Sequence, residues 1–245
     1  KFNYAQFIRF ISESGATLAR GAARLDDRKV FVLHMGVSVN CNAFCSAEPL
    51  VPNKVVRILC PANLVPVKGH EFLIEALSKL SGHQSVILEL AGDGERKPEL
   101  KSLAERFGVK EQIIFRGHVP HQELLHRYSR GDVDVVVLPS RDLGGGVHEG
   151  IPVSLMEAMA HGIPVVSTRT GGIPELIMDD STGTQYGILV EADNVSELAG
   201  ALEFLVNFPE ERMRLGALGF ERVKSDFNED LVAKRLIELI KQRQV

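Results

Sequence analysis

The chain is poor in the features that mark several functional classes. It holds only three cysteines, Cys41, Cys45 and Cys60, too few and too irregularly placed for a disulfide framework, so a reduced, cytoplasmic setting is expected. Cys41 and Cys45 have C-x3-C spacing, but no second Cys/His pair follows at finger-like distance, and plain small apolar residues describe them better than zinc ligands. None of the eight histidines forms an H-x-x-x-H or H-E-x-x-H pair, so no metal site is expected. A basic surplus is also missing: 28 Lys and Arg face 32 Asp and Glu, a net charge of −4, which argues against nucleic acid as a partner. No uncharged apolar run approaches the ~18 residues needed to cross a bilayer, and no signal-peptide pattern opens the sequence. Internal repeats and low-complexity tracts are lacking too. The first residue is Lys, and the first forty residues read like the middle of something, so a fragment of a longer protein is expected.

What is present is an ordinary globular composition, 44% apolar and 24% charged over 245 residues, enough for one large domain or two small ones. From residue 54 onward, short Val/Ile/Leu-rich runs alternate with helix-period segments. The strand candidates are residues 55–60, 85–91, 112–115, 133–138, 164–168 and 187–190, continuously apolar like strands buried on both faces of a parallel sheet. Between them, Leu73, Ala76, Leu77 and Leu80 form one helical stripe. Leu100, Leu103, Ala104 and Phe107 form another, with Pro98 placed to start its helix. The order predicts an α/β fold, a doubly wound, mostly parallel six-stranded sheet with right-handed crossovers. Residues 195–244 read as a helical C-terminal extension of two or three helices, the last with Val232, Leu236, Leu239 and Ile240 on one side. Residues 1–29 look helical and 30–34 look like a strand. The expected division is a remnant and junction over 1–39, a linker over 40–53 and the main domain over 54–245.

In such a sheet ligands bind at the carboxyl ends of the strands, beside helix N-termini. After the first strand, Lys68-Gly69 at a helix start suits a phosphate, although a solvated lysine fits as well. The segment is not a P-loop. After the second, Gly92-Asp-Gly94 reads better as a tight turn than as a dinucleotide fingerprint, because the third glycine would fall at Lys97. After the third, Gly117-His118-Val119 can let a flat ring approach the backbone, or can be a plain loop before Pro120. The fourth loop is the most informative. A Gly-rich run leads to Glu149-Gly150, and Pro152 is placed to open a helix from its first position. That would leave the N–H groups of Val153 and Ser154 to meet an anionic diphosphate. Glu149 before the helix and Glu157 more than one turn inside it can accept bonds from two sets of hydroxyls; an unrelated ion pair would also occupy Glu157. The fifth loop, Gly171-Gly172-Ile-Pro-Glu175, either lines the same crevice or is a capped turn.

Taken together, N-L-V-P-V-K68-G69, A-G-D-G94, F-R-G117-H118-V-P, L-P-S140, H-E149-G-I-P-V-S-L-M-E157-A-M-A-H-G-I-P-V-V-S-T and G-G172-I-P-E175 resemble the GT4-type glycosyltransferases. These are retaining, nucleotide-sugar-dependent enzymes of GT-B fold. The resemblance covers roughly residues 30–240 and implies the C-terminal, donor-binding, Rossmann-like half. His34-Met-Gly36-Val37-Ser38 resembles the family's interdomain junction. Residues 1–29 resemble the tail of the N-terminal domain, their apolar Phe2, Phe7, Ile8, Phe10 and Ile11 meant to pack on it. In the resemblance, Lys68 contacts the donor diphosphate, and the backbone of Gly117, His118 and Val119 reads the base. Glu149 holds hydroxyls of the transferred sugar, Glu157 those of the ribose, and Val153 and Ser154 help with the phosphates. No metal cofactor is implied, because lysine, helix dipole and backbone donors neutralise the leaving diphosphate.

Two positions depart from the family pattern. Asn63 stands where an Arg is common, removing one of two diphosphate cations. Glu149-Gly150-Ile-Pro152 replaces E-x-F-G, and its proline removes a donor N–H. The implied function is transfer of a sugar from a nucleoside-diphosphate sugar to a polysaccharide or glycolipid acceptor. The isolated chain would bind donor weakly and transfer little, since the acceptor site belongs to the missing half. The implied partners are the donor and a glycan or lipid-linked acceptor. In the family such surfaces sometimes touch membranes peripherally, for which a net charge of −4 gives no support. A non-catalytic nucleotide-sugar-binding module is the alternative, and a nicotinamide-dependent oxidoreductase is disfavoured by the incomplete glycine fingerprint.

Overall fold

The computed structural model describes residues 5–39, 55–81 and 85–242. Cys41, Cys45 and the proposed linker lie outside the described residues. The N-terminal segment is a small β-α-β unit: β1 (Ile8–Phe10), α1 (Glu13–Ala22) and β2 (Val30–Val32), with β1 and β2 parallel. The expectation that 1–29 is helical is therefore corrected at 8–10. Pairing with residues 30–32 decides the backbone there, and Arg9 reinforces it by donating to the carbonyls of Leu33 and His34 at 2.9 and 2.7 Å. Helix α1 starts where Ser12 Oγ accepts from the Gly15 N–H at 3.0 Å, an N-cap supplied by the sequence itself.

The rest alternates as expected. In chain order come β3 (Val56–Cys60), α2 (His70–Ser78), β4 (Val86–Ala91), α3 (Lys97–Arg106), β5 (Ile113–Gly117) and α4 (His121–Ser129). They are followed by β6 (Val135–Leu138), α5 (Val153–Ala160), β7 (Val165–Thr168) and α6 (Ile173–Ile177). A short antiparallel pair, β8 (Met178–Asp179) and β9 (Thr184–Gln185), precedes β10 (Ile188–Val190). Three helices close the chain: α7 (Val195–Asn207), α8 (Pro209–Asp226) and α9 (Glu229–Lys241).

The main sheet has six strands in the order β5-β4-β3-β6-β7-β10, all parallel. The chain winds outward from β3 in one direction, then returns to β6 and winds in the other. The strand order reverses between β3 and β6, where an open α/β sheet parts to form a ligand crevice. The six strand candidates correspond to these six strands, because runs such as Val135-Val-Val-Leu138 are buried on both faces. The helical stripe Leu73, Ala76, Leu77 and Leu80 is buried in the core, as are Leu100 and Ala104.

Two local readings differ. Pro152 is the N-cap of α5 rather than its first helical residue, and Val153 takes that place. The last helix buries only the start of its stripe: Val232 is buried, whereas Ile240 is exposed. The turn before α9 is stitched to the segment that follows β2, with Val37 N–H donating to the Phe227 carbonyl at 2.8 Å and Glu229 N–H to the Val37 carbonyl at 3.0 Å. No helix among the described residues is long and apolar enough to cross a membrane.

Candidate functional site

The crevice is built by backbone before any side chain enters it. Gly69 closes the loop after β3 in a left-handed conformation (φ 63°), and a Cβ there would lie 2.0 Å from the Pro139 carbonyl oxygen. Only glycine lets the β3 and β6 loops approach so closely. The same contact is tied by the Arg141 N–H, which donates to the Val67 carbonyl at 2.8 Å. From the β4 loop, the Asp93 carbonyl accepts from Leu64 N–H at 3.0 Å, and Lys97 N–H donates to the Gly94 carbonyl at 3.2 Å, closing a turn into α3.

This stitching brings Lys68 to Glu149, and their side chains form an ion pair with 22% and 15% of each exposed. Ser140 Oγ donates to the same Glu149 Oε1 at 3.4 Å. Glu149 is also held from behind: its carbonyl oxygen accepts from Gly172 N–H at 3.3 Å, and a Cβ on Gly171 (φ 55°) would sit 1.8 Å from it. The fifth loop therefore backs the Glu149 main chain. Gly150 continues the chain into α5, whose first two N–H groups, those of Val153 and Ser154, point out of its positive end. Asn63 is exposed at the mouth of the β3 loop. Arg96 and Arg141 flank that loop but are committed elsewhere, Arg96 to Glu71 and Glu99 at 2.6 Å each and Arg141 to Asp193 at 2.6 Å. His70 is fully buried behind Lys68. Burial, helped by Arg96 and Lys68, pushes its imidazole down to about 4, so it stays neutral beside those cations.

Across the crevice, Gly117 ends β5 and is buried, with His118 exposed and Val119 partly covered. Asp93 and Lys97 form a 2.9 Å pair beside Gly117. The bond from Lys97 holds the Asp93 carboxyl below its usual range. Glu157, one and a half turns along α5, points into the same region and is met by His121 Nε2 at 2.6 Å. Glu157 thus does have a side-chain partner, His121. His121 is a residue that the motif reading missed, and its only signal was a histidine opening a helix just past the 117–119 loop. Among the described residues, no group of three His, Cys, Asp or Glu side chains is arranged to hold a metal ion.

A second anchor lies at the rim. Glu175, from the G-G-I-P-E loop, accepts from the Glu13 and Ser14 N–H groups at 2.9 Å each and bonds His34 Nε2 at 3.0 Å. Burial pushes its carboxyl up, but the His34 bond and the two N–H donors outweigh this and leave it lowered. His34 stacks on Phe227, ring centroids 5.0 Å apart. His34 thus ties the N-terminal unit to the crevice rim.

The family described as glycosyl transferases group 1 matches residues 45–222. Among curated relatives, the chain is 31% identical over 189 residues to a GDP-mannose-dependent alpha-(1-6)-phosphatidylinositol monomannoside mannosyltransferase of Mycolicibacterium smegmatis, covering 76% of this chain and 48% of that protein. It is 33% identical over 215 residues to the putative colanic acid biosynthesis glycosyltransferase WcaL of Escherichia coli, covering 86% and 51%. The chain spans about half the length of these relatives. Among solved structures, Anabaena HepE in complex with UDP-glucose superposes with a TM-score of 0.80 at 20% identity, over 98% of this chain and 65% of that one, a likeness of fold. With the alternating sheet, its switch-point crevice and this match, the chain belongs to the group 1 glycosyltransferases, a GT4-type member with the GT-B architecture.

Proposed function

We propose that this chain is the donor-binding half of a glycosyltransferase that moves a sugar from a nucleoside-diphosphate sugar to a polysaccharide or glycolipid acceptor, with retention at the anomeric carbon. The observation that carries the reading is the convergence of Lys68, Glu149 and the N-terminus of α5 at the switch point, opposite the Gly117 loop and Glu157. The diphosphate would lie between Lys68 and the N–H groups of Val153 and Ser154. There lysine charge and helix dipole stabilise the negative charge that develops on the departing phosphate oxygen. Gly69 lets the backbone come close, and Asn63 faces the same phosphates as a neutral donor. Gly150 and Glu149 would face the transferred sugar. Glu157 would accept from the ribose, with the base along Gly117, His118 and Val119.

Lys68 has to release Glu149 as donor enters, exchanging one carboxylate for diphosphate oxygens while sugar hydroxyls take its place on Glu149. The reading assigns charge neutralisation to these groups and not to a divalent cation, so a chelator should leave donor affinity unchanged. GDP is the favoured nucleotide, since the Mycolicibacterium relative is named as GDP-mannose-dependent. The acceptor site, and with it full turnover, belongs to the half of the relatives that this chain does not span.

Calorimetric titration with GDP, UDP and ADP, with and without EDTA, tests the reading. One nucleotide should bind clearly, equally well in chelator, and more weakly to Lys68→Ala. Binding of a nucleoside diphosphate without sugar turnover by the full-length protein would favour the non-catalytic binding module, for which Asn63 in the family's arginine position is the supporting feature.

A further inference from the structure

We propose that His121 is a positioning residue for the nucleotide: it holds one oxygen of Glu157 so that the other stays presented to the ribose hydroxyls. The inference rests on the donor-site reading above. Glu157 leaves a helix that is otherwise packed into the core, with Met156 and Ala158 fully buried on either side of it. Its own side chain is only 14% exposed, whereas His121 is 63% exposed. The carboxylate is thus drawn to the crevice side, and the hydrogen bond it makes there is from Nε2 of His121 to Oε1, at 2.6 Å. On the core side lies Tyr128, whose buried hydroxyl has no hydrogen-bond partner among the described residues. Burial pushes that hydroxyl up, and the nearby Glu157 charge pushes it further.

The bond joins two elements that otherwise meet the nucleotide independently. His121 is the first residue of α4, three residues past His118 on the loop proposed to read the base, while Glu157 sits on the helix proposed to face the phosphates. A glutamate has three torsions to lose on binding, and an imidazole donor on Oε1 removes much of that freedom in advance. A carboxylate has lone pairs to spare, so Oε2 remains an acceptor for hydroxyls while Oε1 is engaged. His121 therefore acts through Glu157, without contact to the sugar being transferred.

The effect must appear only with a nucleotide that carries the hydroxyls Glu157 would accept from. The experiment is calorimetric titration of GDP and UDP, and of their 2′,3′-dideoxy counterparts, into the wild type, His121→Ala, His121→Gln and Glu157→Gln. For the nucleotide that binds, His121→Ala should weaken the ribose form about three- to tenfold and leave the dideoxy form unchanged. His121→Gln, which keeps an N–H donor, should restore part of the loss. Equal weakening of both forms, no change, or tighter binding would overturn the inference. If the ribose form depends on Glu157 but not on His121, this inference fails and the donor-site reading stands. If neither nucleotide binds, the donor-site reading fails and takes the inference with it.

Discussion

Glu149 and Glu157 bracket the start of the same helix, yet they are held by different means. Glu149 sits in a loop clamped by backbone: Gly171 and Gly172 press on its carbonyl from one side, and Gly69 against Pro139 brings Lys68 to it from the other. Glu157 is set by α5 itself, and its carboxylate is steadied by one bond from an exposed histidine. The first arrangement fails when chain geometry changes, the second when a side chain changes. The proposed donor site thus has a rigid side, for phosphate and sugar, and an adjustable side, for ribose and base.

The largest effect should come from breaking the rigid side at its backbone. Gly171→Ala would put a Cβ 1.8 Å from the Glu149 carbonyl at a φ of 55°, and should cost upward of about 2 kcal/mol and abolish nucleotide binding. Gly183→Ala is the control, with a φ of 70° but open space around it. It should cost only about 1 kcal/mol of strain and leave binding intact. Urea denaturation and calorimetry on the pair separate clash from strain.

Next comes the side chain on the rigid side. Lys68→Ala in the full-length protein should lower turnover about 10²-fold or more, as expected when a donor to a developing anionic oxygen is removed, with little change in fold by circular dichroism. A smaller effect of opposite sign is expected at Asn63. Asn63→Arg would add a bidentate phosphate donor at an exposed loop position and should tighten nucleotide binding about tenfold. Equal affinity would mean that position 63 does not face the phosphates.

The smallest effect concerns the rim. The Glu175 carboxyl is lowered in the folded protein, so its stabilising contribution is present above the ordinary glutamate value of about 4.3 and fades as pH falls through the lowered one. Glu175→Gln should therefore reduce thermal stability at pH 7, by less than about 2 kcal/mol, and the gap to wild type should narrow as pH falls below about 4.3. Melting curves at pH 7 and through the acid range read this directly.

Much of this was visible in residue order, and the reasons are local. Buried parallel strands need unbroken apolar runs, so β3 to β7 and β10 announced themselves, as did the loops that follow them. Alternation implied a doubly wound sheet with right-handed crossovers, while the strand order β5-β4-β3-β6-β7-β10 is seen only in the fold. What the order of residues did not disclose depends on long-range pairing. Ile8-Arg9-Phe10 is a strand because Val30-Phe-Val lies beside it, although its own neighbours suggested helix. The roles of Gly171 and His121 arise from contacts 22 and 36 residues away in sequence, with Glu149 and Glu157. The pairing of Arg96 and Arg141 with carboxylates from distant elements is likewise absent from residue order.

The most direct test of the account is amide hydrogen exchange, with and without saturating nucleoside diphosphate. The account predicts slowed exchange at Val153 and Ser154, where α5 would meet the phosphates, with smaller slowing at residues 117–119. Slowing confined to another face of the sheet, with the start of α5 unchanged, would contradict it.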